Sequence, residues 1–177
     1  YPKAGHKGYT PLASGIETAR GCPYDCEFCS IGSVMGRQYR PRPIANVISE
    51  MESIDSSHLF FVDDALALNR PTAKKLFTEM IPLRRKWAGQ GPVSLAEDLE
   101  LLELMRRSGC VGLLIGFESV QKETHDGMKK MKNLKIDFSE AVRRFHDKGI
   151  ALLGAFIFGF DHENKDVFDQ TLEFSIK

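Results

Sequence analysis

The chain has 177 residues, of which 42% are hydrophobic, 27% charged and 10% aromatic. These proportions are those of a soluble globular domain, and they exclude collagen, a disordered tail and a low-complexity linker. Lys and Arg number 24, as do Asp and Glu, so the formal charge is zero; a general grip on nucleic acid would need an excess of cations to neutralise phosphates.

No apolar run reaches the ~18 residues of a membrane span. The longest, Ile150 to Phe160, is interrupted by Gly154 and Gly159. The first residues, Tyr1-Pro2-Lys3-Ala4-Gly5-His6, lack a signal-peptide core and an initiator Met. The chain therefore reads as an excised piece of a cytoplasmic protein, a single domain over 1–177.

Strand and helix signals alternate along it. Pro11 to Thr18 reads as a short strand feeding a Gly- and Cys-rich loop from Arg20 to Gly36. After the solvated connection Arg40-Pro41-Arg42-Pro43, the spacing of Ile44, Val47, Ile48, Met51 and Ile54 predicts a helix. Leu59 to Val62 reads as a buried strand. Pro71 opens a helix that Pro82 ends or kinks, since proline has no amide to donate. Trp87 to Gln90 then precedes a short third strand, Val93 to Ala96; Gln90 and Ser94 either touch substrate or play structural roles. Leu99 to Ser108 is a helix stopped by Gly109, and Val111 to Phe117 an apolar strand. Met128 to Asn133 is a basic stretch that reads as solvated surface. Asp137 and Glu140 form a capping-box pattern ahead of a helix closed by Gly149. Ile150 to Phe158 is the strongest strand, and Asn164 onwards a last helix.

Five strand–helix units in strict alternation imply a parallel sheet with helical crossovers. In such folds, function gathers at the C-terminal ends of the strands. Four motifs fall there.

The first is Cys22-Pro-Tyr-Asp-Cys26-Glu-Phe-Cys29, three of the chain's four cysteines within eight residues. Such clustering points to metal rather than disulfides. Three thiolates on one loop can hold a centre with an open position, as in a four-iron cluster. The competing reading is a structural zinc completed by His6, His58 or Cys110. Cys110 lies at the N-terminal end of its strand and reads as a small core residue.

The second motif, Asp63-Asp64, is either a pair of cofactor-facing carboxylates or a solvated turn. The third, Gly116-Phe117-Glu118-Ser119, places an acid where it can accept from ribose hydroxyls, or else simply starts a helix. The fourth, Gly154-Ala-Phe156-Ile157-Phe-Gly159-Phe-Asp161, either admits a ligand ring beside its glycines or is a tightly packed core strand.

Arg20 to Ile31, with Phe28 before the last cysteine, resembles the signature loop of the radical S-adenosylmethionine (SAM) superfamily. The four motifs occur in that family's order, over residues 9 to about 174. The nearest likeness is to its cobalamin-binding group. The resemblance implies an α/β fold of the partial (β/α)6 type, with five of six units present and flanking N-terminal cobalamin-binding and C-terminal domains absent. It implies a [4Fe–4S] cluster on Cys22, Cys26 and Cys29, shielded by Phe28 and Ile31, with SAM chelating the fourth iron. SAM contacts would come from Asp63 and Asp64 (ammonium), Glu118 and Ser119 (ribose), and Phe156, Ile157 and Gly159 (adenine). The family's usual acid after this last motif is replaced here by Asp161 or Glu163. The implied activity is reductive cleavage of SAM to a 5′-deoxyadenosyl radical, for hydrogen abstraction or methyl transfer on a small-molecule substrate. The electron would come from a donor such as flavodoxin or ferredoxin, and cobalamin from a domain outside this chain. The rival reading is a non-catalytic α/β binding module stabilised by zinc or a cluster.

Overall fold

The computed structural model describes residues 13–121, 124, 137–161 and 163–176. His6 and the Met128–Asn133 stretch lie outside them. The strands are β1 (Ser14–Ile16), β2 (Ala19–Arg20), β3 (Arg40–Pro41), β4 (His58–Phe61), β5 (Lys86–Pro92), β6 (Cys110–Glu118) and β7 (Ala151–Phe156). The described helices are α1 (Ile31–Val34), α2 (Ile44–Ser53), α3 (Arg70–Met80), α4 (Leu99–Arg107), α5 (Phe138–Asp147) and α6 (Asp166–Ile176). Five strands form one sheet in the order β1-β4-β5-β6-β7, and every neighbouring pair is parallel. The alternation read from the sequence thus becomes the expected α/β architecture, and it brings the strand exits to one edge.

Helix starts are set by short acceptors on orphan amides. Asn69 accepts from Thr72 N at 3.1 Å, Asp98 from Leu101 N at 2.9 Å and Asp137 from Glu140 N at 2.9 Å. Only half of the expected capping box at Asp137 is seen, because the Glu140 carboxylate is held by Arg143 and Arg144 instead. Proline at position 82 ends α3 as predicted: the chain tightens into a 3₁₀ turn over Ile81–Leu83.

The third strand requires a correction. The strand is Lys86–Pro92, containing the Trp87-Ala88-Gly89-Gln90 segment, while Val93–Glu97 is a 3₁₀ turn. The reason is close packing. A Cβ at Gly89 would press on Phe61 and Leu66, and one at Gly91 on Leu95. Two glycines that weaken a strand signal are what lets this strand lie against its neighbours. Val93, Leu95 and Ala96 are buried, but in a turn. The Arg40–Pro43 connection is also more ordered than predicted: Arg40–Pro41 pairs antiparallel with Ala19–Arg20.

Side chains alternate across the sheet, as strand geometry demands. Leu59, Phe61, Trp87, Leu113, Ile115 and Phe117 are buried in the core under the helices. Phe60, Val62 and Leu153, on the other phase, remain exposed. Trp87 anchors the core. Its ring stacks on Phe77 at 5.1 Å and meets Phe61 edge-on at 4.9 Å, and its indole N–H donates to Ser108 Oγ at 3.1 Å. Trp87→Ala should therefore cost about 3–5 kcal/mol of stability, measured as a lowered urea midpoint.

Candidate functional site

The cysteine loop begins where the β1–β4 ladder stops. The last ladder bond is Val62 N–H to Ile16 O, at 3.0 Å. Beyond it, the chain from β1 turns away into the β2–β3 ribbon. The amides of Thr18 and Ala19 donate to Asp63 Oδ1 at 3.0 and 2.7 Å, and the Thr18 hydroxyl donates to the same oxygen. Gly21 N–H donates to Asp64 Oδ2 at 2.8 Å. Arg42 closes the return side: its guanidinium donates to Glu17 O at 2.6 Å and pairs with Glu50. The loop is thus gripped at its neck by the two-stranded ribbon and by both carboxylates of the β4 exit. Gly21 sits in the narrowest part, with φ +83°, where a Cβ would collide with Gln38 O.

Within the loop, Cys29 N–H donates to Cys26 O at 3.0 Å, a turn that leads directly into α1. Cys22 and Cys26 are half-buried and Cys29 is exposed, and all four cysteines of the chain are thiols. The donor set fits a four-iron cluster. Three thiols on one loop can each take a different iron, leaving one iron for an outside ligand. Among the described residues, no three His, Cys, Asp or Glu side chains converge as a single bound ion requires; a cluster does not need that convergence. Two of the suggested fourth zinc ligands lie at the wrong end. His58 and Cys110 begin β4 and β6, opposite the strand exits. Burial pushes the Cys110 thiol up to about 12, which suits the inert core residue expected of it.

The remaining strand exits join the same rim. Gln90 Nε2, on β5, donates to Asp63 O at 2.9 Å. A bulge between Gly116 and Glu118 shifts the β6–β7 register and leaves Glu118 at φ +63°. Its carbonyl accepts from Ile157 N–H at 2.7 Å. Glu163 bridges two exits: one oxygen accepts from Ser119 Oγ at 2.8 Å, the other from Gly159 N at 2.8 Å and Phe160 N at 3.2 Å. Of the two acids suggested by the sequence beyond β7, Glu163 is the one in this network. Phe160 then meets Phe28 of the cysteine loop edge-on, with centroids 6.4 Å apart. A chain of contacts therefore joins the loop to the exits of β1, β4, β5, β6 and β7.

Two of the sequence candidates face elsewhere. Asp63 is fully buried, and its side chain is turned into the neck. Burial raises its pKa, an effect partly offset by the Thr18 and Ala19 donors. Phe156 points into the helix layer, stacked on Phe117 at 5.7 Å and edge-on to Phe174. Sequence reading missed Thr18, Gly21 and Arg42, whose roles depend on partners far away in the chain. It also missed Arg70, a half-buried guanidinium at the start of α3. Arg70 donates to Ser94 Oγ at 3.3 Å, and burial lowers its pKa against the pull of Asp98, Tyr24 and Glu97.

Comparison with known proteins agrees with this geometry. The sequence model of the radical SAM superfamily matches residues 16–175. Bacteriochlorophyllide d C-12(1)-methyltransferase of Chlorobaculum tepidum is 31% identical over 174 residues, covering 95% of this chain and 38% of that protein. Anaerobic magnesium-protoporphyrin IX monomethyl ester cyclase of Cereibacter sphaeroides is 31% identical over 175 residues, covering 92% of this chain and 28% of that protein. The structure of the radical SAM methyltransferase TsrM from Kitasatospora setae, with tryptophan substrate and a SAM analogue bound, superposes with a TM-score of 0.84 at 23% identity. The match covers 93% of this chain and 33% of TsrM. The chain spans well under half the length of each of these proteins.

The neck makes its own prediction. Gly21→Ala places a Cβ against Gln38 O at a backbone angle that alanine resists, so it should destabilise the fold by about 1–3 kcal/mol. Urea unfolding would measure the loss, and limited proteolysis should cut first within residues 21–39.

Proposed function

Since the chain belongs to the radical SAM superfamily, we propose that it is the core of an enzyme that binds a [4Fe–4S] cluster and SAM at this rim. The observation that carries the proposal is the cysteine loop itself: three thiols, held at the neck against the exit edge of a parallel sheet, with the other exits hydrogen-bonded into the same rim. A cluster held by Cys22, Cys26 and Cys29 would supply the electron for reductive cleavage of SAM.

The residues of the chain divide the remaining work. Cys22, Cys26 and Cys29 hold the three protein-bound irons. Phe28, packed against Phe160, keeps water from one side of the loop. Asp64 uses one oxygen on Gly21 N–H; its other oxygen and the carbonyls of the β4 exit accept from the SAM ammonium. Glu118 accepts from ribose hydroxyls. Ser119 is tied to Glu163 and fixes the turn that presents Glu118. Ile157 and Gly159 leave β7 beside Glu118, and they contact the adenine. A pre-formed rim of this kind orients the ligand, which is the protein's share when a cofactor carries the difficult chemistry.

The reaction class is hydrogen abstraction or methyl transfer on a small molecule. It is supported by relatives named as methyltransferases and as a cyclase. Cobalamin would be supplied by a domain outside this chain, as suggested by the TsrM structure solved with cobalamin and a [4Fe–4S] cluster. An electron donor such as flavodoxin or ferredoxin completes the scheme. No helix among the described residues is long and apolar enough to cross a membrane.

Anaerobic reconstitution should load about four irons per chain, with visible charge-transfer absorbance, and Cys26→Ala should lose them. Uptake of one zinc and no iron by the wild type would sink the proposal. Glu118→Ala should weaken SAM binding by about tenfold or more while the iron content stays constant. Unchanged SAM affinity in a calorimetric titration would remove Glu118 from the ribose site.

A further inference from the structure

We propose that Asp63 is a positioning residue for the cysteine loop and not a ligand of SAM: its buried carboxylate is the strut that sets where the loop's neck leaves the sheet. The proposal rests on reading the loop as a cluster site.

The parallel ladder between β1 and β4 ends at Ile16 and Val62. The next two amides beyond Glu17, those of Thr18 and Ala19, have no strand carbonyl opposite them. Asp63 Oδ1 takes both, and the Thr18 hydroxyl as well. One oxygen thus ends the ladder and turns the chain into the β2–β3 ribbon. On the other side of Thr18, its carbonyl accepts from Arg42 N–H at 2.8 Å, so both legs of the loop are referred to the same point. The backbone carbonyl of Asp63 accepts from Gln90. The strut is therefore braced from β5 while it holds the neck.

A role as an ammonium acceptor does not suit this oxygen pair. Oδ1 already takes three donors. Oδ2 is sealed in the interior, with no hydrogen-bond partner among the described residues. An incoming cation would have to open the neck to reach either one. Asp64, one residue on, also holds the neck through Gly21 N–H, but it is only half-buried, so it keeps an oxygen nearer the surface.

The experiment compares Asp63→Asn with Asp63→Ala. Asparagine keeps one carbonyl oxygen for Thr18 and Ala19, removes the charge, and puts an amide NH2 where the buried Oδ2 was. Alanine removes the strut. In metal-free protein, amide hydrogen exchange at Thr18, Ala19 and Gly21 should quicken by about tenfold or more in Asp63→Ala and by less than about threefold in Asp63→Asn. After reconstitution, Asp63→Asn should keep wild-type iron content and SAM affinity, whereas Asp63→Ala should lose at least about half of its iron. Thr18→Val removes one donor only and should give an intermediate exchange rate at Ala19, which keeps the test decisive should Asp63→Ala not fold. The proposal is overturned if Asp63→Asn weakens SAM binding about tenfold with exchange unchanged, because the charge would then be a ligand. It is also overturned if neither Asp63→Ala nor Thr18→Val alters exchange at the neck. Failure of the wild type to bind iron would instead count against the cluster reading, and the metal-free exchange result would stand apart from it.

Discussion

A short loop carrying three thiols has many ways to be floppy, and the fold holds it, with Phe28 resting on Phe160 as a second contact, chiefly at the neck. Four backbone amides that the ladder leaves behind are collected there: Thr18 and Ala19 by Asp63, Gly21 by Asp64, and Arg42 by the carbonyl of Thr18. Each bond alone is worth about 1 kcal/mol. Their effect is greater than that sum because they converge. The loop's two legs are joined by the β2–β3 ribbon, and the ribbon is joined to the exit of β4, whose inner face packs into the core. Remove the neck, and the thiols of residues 22–29 have no fixed relation to Glu118 or Ile157.

The rest of the rim uses the same device on a smaller scale. Parallel strands end with unpaired backbone groups, and at the β6 and β7 exits several of these are taken up by a side chain of the same exit or by the backbone of the neighbouring one. Glu163 takes Gly159, Phe160 and Ser119. The bulge at Glu118 turns its carbonyl onto Ile157. The β4–β5 exits and the β6–β7 exits each become a hydrogen-bonded pair, and the Phe28–Phe160 contact ties the loop to the second pair. Beneath it, the core keeps the strands in register: Trp87 and Phe61 under α3, and Phe117, Phe138, Phe156 and Phe174 under α5 and α6.

Much of this was legible in the residues. Alternating apolar runs and amphipathic segments implied a parallel sheet, and the order of motifs along the chain implied which ends would meet. The third strand was hidden because Gly89 and Gly91 are poor strand formers in isolation; only the bulk of Phe61, Leu66 and Leu95 against them explains their place. The β2–β3 ribbon was hidden because two residues carry no periodicity. The different burial of Asp63 and Asp64 follows once the strand is known. Asp63 is in phase with Leu59 and Phe61, which are buried, and Asp64 with Phe60 and Val62, which are exposed. Phe156 follows the same rule, in phase with Leu152 and Gly154 against the helices. Two-residue periodicity applied through the end of each strand would have separated core from rim.

The burial of Cys110 also affects how the loop can be studied. Its thiol lies at the far end of the sheet, and burial pushes its pKa up to about 12. Thiolate is the reactive form towards oxidants and alkylating agents. The folded chain therefore separates its sulfur into one buried atom and three on the more accessible loop. A thiol reagent added to native protein should label the loop ahead of Cys110. Unfolding exposes the fourth, so the same reagent, counted before and after denaturant, reads loop occupancy and global integrity on a single scale.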